Sequence, residues 1–177
     1  MKTKDIKIKI KEYFFLNPTI KIRVRQIERN VNVPLPSVIK YVKELEKERI
    51  IKRYEIAKVV IYSADRTSTQ FIIEKKLFNI KKIFSSKLRD FLIEKFSNPT
   101  IIIFGSYSKG EDIENSDIDI YIESNSKNKI NFDKYEKELQ RKIHIFIYEN
   151  IKKVENKDLA NNILNGFIIN GFVEVFK

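Results

Sequence analysis

A short apolar run ends in a glycine-serine pair, and ten residues later an Asp-x-Asp opens a second run. Thr100-Ile101-Ile102-Ile103-Phe104 is broken by Gly105-Ser106, and Asp117-Ile118-Asp119 begins an acidic-apolar alternation that reaches Ile122. The first run, bounded by turn residues, reads as a buried strand, and the alternation reads as a strand with one face in a core. Strand side chains alternate faces, so Asp117 and Asp119 are expected to point the same way while Ile118, Ile120 and Ile122 enter the core. Folding alone gives no reason for two carboxylates side by side. A hard divalent cation with oxygen ligands, Mg²⁺, is their natural occupant. Gly105 lets the backbone approach a phosphate closely, and Ser106 opens a helical turn whose free N–H groups and hydroxyl can hold it. The chain has no cysteine and one histidine, which excludes disulfides, thiolate metal sites and histidine clusters.

The stretch from Phe104 to Asp119 resembles the polymerase β-type nucleotidyltransferase superfamily, in its minimal nucleotidyltransferase branch, over about residues 98–149. The resemblance implies Mg²⁺-dependent transfer of a nucleoside monophosphate from a nucleoside triphosphate to a hydroxyl. By it Gly105 and Ser106 bind the triphosphate, Lys109 assists as a point charge, and Asp117 and Asp119 are the catalytic metal ligands. Members carry a third acid on a later strand, soon after a short basic stretch. Here that context is Gln140-Arg141-Lys142-Ile143-His144-Ile145, which puts His144 in the acid's place as the third catalytic candidate. A neutral imidazole brings no negative charge to Mg²⁺, although it can act as a general base. Glu149, five residues on, falls on the opposite strand face.

The net charge of +11 is unevenly placed, with 17 Lys+Arg against 8 Asp+Glu in residues 1–66 and 18 against 16 in residues 67–177. So basic a segment attracts a polyanion, nucleic acid first among them. Helical spacing predicts helices over residues 4–16, 24–30 and 36–49, with the turn Asn32-Val33-Pro34-Leu35-Pro36 before the third. Ile50 to Tyr54 and Val59 to Tyr62 are β-branched and aromatic runs separated by Glu55-Ile56-Ala57-Lys58, a two-stranded wing. This order is that of a winged helix-turn-helix. Pro36-Ser37-Val38-Ile39-Lys40-Tyr41-Val42-Lys43-Glu44-Leu45, followed by Glu48-Arg49-Ile50-Ile51, is similar to the recognition helix of MarR- and ArsR-like proteins. The likeness implies that Ser37, Lys40 and Tyr41 face double-stranded DNA, with Lys40 and Lys43 neutralising phosphates.

The expected fold class is therefore α+β. A winged helix-turn-helix over residues 1–66 and a helical connector over 67–97 precede a small mixed-sheet, polymerase β-like domain over 98–177. In the last of these a helix is expected at 131–141, a strand at 143–148, a helix at 157–165 capped by Gly166, and a strand at 172–176. The whole chain resembles archaeal proteins that carry the two modules in this order. Met1 to Lys7 lacks the apolar core of a signal peptide, and no apolar run approaches the ~20 residues of a membrane span, so a cytoplasmic protein is expected.

Three functions stay open. The first is an enzyme that transfers AMP from ATP with Mg²⁺ to a protein or other hydroxyl; the resemblance makes this antitoxin-like, with a HEPN-type toxin as partner. The second is a DNA-binding regulator, a homodimer on two half-sites, whose degenerate second domain binds nucleotide or a partner. The third is an adaptor that only contacts a partner.

Overall fold

The computed structural model describes residues 3–126 and 130–175. The chain divides into two compact units, residues 1–78 and 79–177.

The first unit opens with helices α1 (Thr3–Leu16), α2 (Val24–Val31) and α3 (Leu35–Lys47). Helix α1 buries Ile6, Ile10, Phe14 and Phe15, and its last turn is closed by the Asn17 amide donating to the Tyr13 carbonyl at 2.9 Å. At the start of α2 the Gln26 side chain reaches back to accept from the Arg23 N–H, and Asn32 in the left-handed region (φ 54°) ends the helix. Pro36 lies in the first turn of α3, where its missing N–H has no helical partner to lose. Strands β1 (Ile51–Ile56) and β2 (Val59–Ala64) form an antiparallel hairpin. Both run further than expected, because Ala57 and Lys58 (φ 48° and 64°) close it as a two-residue turn. Ile22 adds an antiparallel bridge to Tyr62. The core joins the helices to Ile50, Ile51, Tyr62, Ala64 and Phe71.

The helical segment expected over 67–97 is two helices, α4 (Thr69–Ser85) and α5 (Leu88–Lys95), broken where Lys87 turns left-handed at φ 64°. The division between units falls inside α4, after Phe78.

The second unit is a four-stranded mixed sheet in the order β5-β4-β3-β6. Its strands are β3 (Ile101–Phe104), β4 (Ile118–Glu123), β5 (Ile143–Tyr148) and β6 (Phe167–Asn170). Strand β3 pairs antiparallel with β4 and β6, whereas β4 and β5 are parallel, joined through helix α7 (Asp133–Leu139). One sheet face packs Ile101, Ile103, Ile118, Ile120 and Ile122 against Ile83, Leu88, Leu92, Tyr135 and Leu139. The other packs Ile102, Phe104 and Tyr121 with Ile151, Val154 and Ile163, the last on helix α8 (Lys157–Leu164).

The expected last strand at 172–176 is corrected: the strand is β6, five residues earlier, and Phe176 lies outside the described residues. Two glycines explain the shift. A Cβ on Gly166 would lie 2.6 Å from the Ile103 carbonyl oxygen, so only glycine lets the chain leave α8 directly against β3. Gly171 (φ 70°) lies against Thr100 and ends the strand. Asn165, not Gly166, caps α8.

Candidate active site

The sheet itself assembles the site. Phe104, the last residue of β3, is the strand partner of Asp119, and Asp119 is in turn the partner of His144 on β5. Three neighbouring strands thus put Phe104, Asp119 and His144 on one face and at one level. After Phe104 the chain turns through Gly105 into a short helix, α6 (Gly105–Lys109), with Gly110 left-handed at its end. A Cβ on Gly105 (φ 72°) would lie 2.6 Å from Asp119 Oδ2, so the glycine backbone touches the carboxylate directly. Ser106 is half-buried in the first turn of α6, and Lys109 is exposed in its last. Ser108 is buried and donates to the Gly105 carbonyl at 2.9 Å, which holds the corner in shape.

Strand β4 begins at Ile118, one residue later than expected, and Asp117 is exposed just ahead of it. Ile118, Ile120 and Ile122 are wholly buried, as the alternation required. The Asp119 side chain is 28% exposed and His144 59%, with Nδ1 3.5 Å from Asp119 Oδ1. Burial raises the Asp119 carboxyl above its ordinary range; the nearby His144 lowers it in part, and Asp117 raises it again. The charge of Asp117 thus reaches the Asp119 carboxyl. Among the described residues no group of three His, Cys, Asp or Glu side chains is gathered tightly enough to hold a metal by itself. Glu149 lies beyond the end of β5, at the far end of the strand from His144.

Residues 85–170 match the family model described as nucleotidyltransferase domain. The matched region lies within the second unit and contains the glycine-serine corner, both aspartates and His144. A curated protein of Methanocaldococcus jannaschii, provisionally named a protein adenylyltransferase, is 41% identical over 61 residues. Those residues are 34% of this chain and 60% of that protein, so the chain spans less than two thirds of its relative. No solved structure matches the chain.

The connector between the glycine-serine corner and the Asp-x-Asp is pinned by a buried node that sequence reasoning missed. Asp112 is 1% exposed; it accepts from the Asn79 amide at 2.7 Å and from Arg141 Nη2 at 3.2 Å. Asn79 also donates to the Tyr107 carbonyl, and Arg141 to the Gln140 carbonyl. In the sequence Arg141 reads as one more residue of a basic stretch. The structure separates the three: Gln140 is the left-handed cap of α7, Arg141 is buried, and Lys142 is exposed and paired with Glu136 at 2.6 Å. The only available signal was an acid, Asp112, in a connector that also follows a glycine.

A cleft of about 460 Å³ adjoins this node, lined by Glu114, Asn115, Ser116 and Asp117 on one side and by α7 and Gln140 to Lys142 on the other. It meets the corner only through Asp117, since Gly105, Asp119 and His144 do not line it.

In the first unit α3 exposes Lys40 and Lys43, leaves Ser37 half-buried and buries Val38, Tyr41, Val42 and Leu45. Tyr41, expected to face DNA, is thus corrected to a core residue, 6% exposed. Its position three residues after Val38 and four before Leu45 puts it on the apolar stripe rather than beside it. Lys40 spreads over its ring, the ammonium 5.2 Å from the centroid.

Proposed function

We propose that the second unit transfers a nucleoside monophosphate, AMP from ATP, to a hydroxyl of another protein. The contact of Gly105 with Asp119 carries this reading, because a phosphate-approaching backbone and a metal-binding carboxylate share one corner. The name of the Methanocaldococcus relative supports protein as acceptor, and the resemblance of the sequence to antitoxin-like enzymes suggests a HEPN-type toxin. Asp117 and Asp119 are the residues to hold Mg²⁺. Their hard oxygen donors suit it, and a cation held there would offset the charge repulsion between Asp117 and Asp119. When bound, the metal supplies charge stabilisation to the triphosphate.

The α6 backbone and Ser106 hold phosphate oxygens while Lys109 adds a mobile positive charge. The acceptor oxygen forms a bond to the α-phosphorus, the bond to the pyrophosphate oxygen breaks, and pyrophosphate leaves. His144 takes the place of a third carboxylate beside Asp119. With Nδ1 turned to Asp119, its Nε2 is the group to accept the proton of the acceptor hydroxyl. The test is calorimetry of the full chain with ATP and Mg²⁺, followed by transfer of label from α-labelled ATP to protein in a host-cell extract. Binding and labelling are expected, and both should be lost in Asp119→Ala. Equal heats from wild type and Asp119→Ala would overturn the reading.

The first unit favours a second activity, DNA binding by a winged helix, on the strength of its basic excess. Three helices, a hairpin and the Ile22–Tyr62 bridge have the winged-helix order, and α3 presents Lys40 and Lys43 to solvent. Two-fold half-site recognition would make the DNA-bound form a homodimer.

A further inference from the structure

Strand β5 forms one edge of the four-stranded sheet, and most of its outer side is bare. Its residues, Ile143-His144-Ile145-Phe146-Ile147-Tyr148, include no carboxylate, lysine, arginine or proline. The Lys142 and Tyr148 carbonyls accept from the Ile118 and Ser124 N–H groups on the β4 side. By alternation His144 and Phe146 also turn their peptide groups to β4, and Ile143, Ile145 and Ile147 turn theirs outward. The Ile143 N–H does point outward, donating to Glu136 Oε1 at 3.0 Å. Beyond it, among the described residues, no hydrogen bond reaches the outer N–H or carbonyl of Ile145 or Ile147. The opposite edge, β6, is blunted, because Arg89 Nε donates to the Ile169 carbonyl at 2.7 Å. An apolar edge is ordinarily blocked, since it pairs with any strand that reaches it. One blunted edge and one open edge point to a strand that is received at β5.

The rows of the sheet say what that strand brings. Phe104, Asp119 and His144 form one row across β3, β4 and β5, and an added strand would extend the row by one residue. In an antiparallel pair the residue opposite His144 falls at a non-hydrogen-bonded position. Its Cα lies about 4.5 Å from that of His144, with both side chains on the same face. A Ser or Thr there sets its hydroxyl beside the exposed imidazole, on the side away from Asp119. The ladder stops at that point, because Glu136 already fills the next outward N–H, at Ile143. The three residues before the hydroxyl residue lie against Ile147, Phe146 and Ile145 in turn. An aromatic residue between two β-branched ones matches those neighbours.

We infer that the outer edge of β5 receives an extended segment of the acceptor protein as a fifth, antiparallel strand. Its sequence runs apolar, aromatic, apolar, hydroxyl, with the last residue opposite His144. The inference rests on the proposed transfer to a protein hydroxyl and adds the acceptor's class: a strand-forming segment that ends at Ser or Thr.

The probe is a fluorescent peptide of about eight residues with Val-Phe-Val-Thr at its centre, added to the full chain without nucleotide. Methylating one backbone nitrogen at a time reads the pairing, because only the two Val N–H groups would face β5. Methylation at either Val should weaken binding by about tenfold, and at Phe or Thr by less than about twofold. Ile145→Pro removes an outward N–H and leaves the ladder to β4 intact, so it should weaken binding by about tenfold with an unchanged circular dichroism. With α-labelled ATP and Mg²⁺, label uptake by the Thr peptides should follow the same alternation. No binding, equal losses at every methylated position, binding unchanged by Ile145→Pro, or labelling that ignores the alternation would overturn the inference. Sedimentation showing a dimer that the peptide dissolves would overturn it too, by assigning the edge to a second copy of this chain. Alternating losses of binding with no label on any peptide would uphold the strand pairing and count against the transfer itself, so the two failures are told apart.

Discussion

Replacing Gly105 by alanine tests whether the corner is built as described. At φ 72° an alanine pays the left-handed penalty, about 1–2 kcal/mol. Its Cβ would also stand 2.6 Å from Asp119 Oδ2, far inside ordinary contact, so the carboxylate must retreat by most of an ångström. A misplacement of about 1 Å at a reacting centre costs roughly 100-fold in rate. Gly105→Ala should therefore lose about 1–2 kcal/mol or more of stability, read from hydrogen exchange of the Ile103 and Ile120 amides, and about 100-fold of label transfer. The two contributions separate in a double-mutant cycle. In an Asp119→Ala background the clash is gone, so the stability cost of Gly105→Ala should fall to the backbone part alone. An equal cost in both backgrounds, or Gly105→Ala with undiminished binding of ATP and Mg²⁺, would refute the proposed contact.

Asp112→Ala leaves Arg141 buried without its carboxylate and should cost about 3–5 kcal/mol, a fall of some 12 °C or more in the melting temperature of a unit this size. Adding Arg141→Met should recover most of that loss, and calorimetry showing no recovery would count against the pair. Because burial raises the Asp119 carboxyl, the folded chain keeps that proton longer than the unfolded one as pH rises above 3.8, so stability falls through that window. Thermal unfolding against pH should show this fall in the wild type and its absence in Asp119→Asn; parallel curves would exclude it. If α3 meets DNA phosphates through Lys40, Lys40→Ala should lower the slope of log affinity against log salt by about 0.9, measured by fluorescence anisotropy at several salt concentrations. An unchanged slope would remove Lys40 from the interface.

What the sequence made legible follows from periodicity. Strands β3 and β4 were readable because Ile101 to Phe104 and Ile118 to Ile122 are buried at every core position, leaving nothing to blur the pattern. The ends were less readable where tertiary contact decides. β6 exists because Gly166 lets the chain lie on β3, a property no local propensity contains, whereas Phe172 to Val175 have strand-like residues and no strand to pair with. Tyr41 shows a related point: its spacing from Val38 and Leu45 already places it on the apolar stripe. The polar hydroxyl on its aromatic ring draws the reading toward solvent, whereas the ring is buried in the core. The site was legible as residue types but not as support. Gly105 and Asp119 could be paired by the strand-turn-strand logic between them, while the Asp112–Arg141–Asn79 node joins residues 29 and 33 positions apart. Such a pairing leaves no trace in one sequence.

The register of β4 with β5 turns the question of the third acid into a single position. Asp119 has one neighbour on β5, and it is His144; Glu149 sits past Tyr148, so no small shift brings it to the corner. An acid at 144 is therefore the decisive substitution. His144→Asp places a second negative charge directly across from Asp119, where like-charged neighbours cost about 0.2–1 kcal/mol, and removes the imidazole that lowers the Asp119 carboxyl. Without a divalent cation the variant should be the less stable protein. With Mg²⁺ the order should reverse, because a cation that binds only the folded state stabilises it in proportion to its affinity, and three carboxylates bind more tightly than two. Thermal unfolding of both proteins across a Mg²⁺ titration measures the crossing directly, without reference to any acceptor. If Mg²⁺ shifts wild type and His144→Asp by the same amount, the two aspartates do not hold a metal beside position 144, and the histidine stands there for another reason.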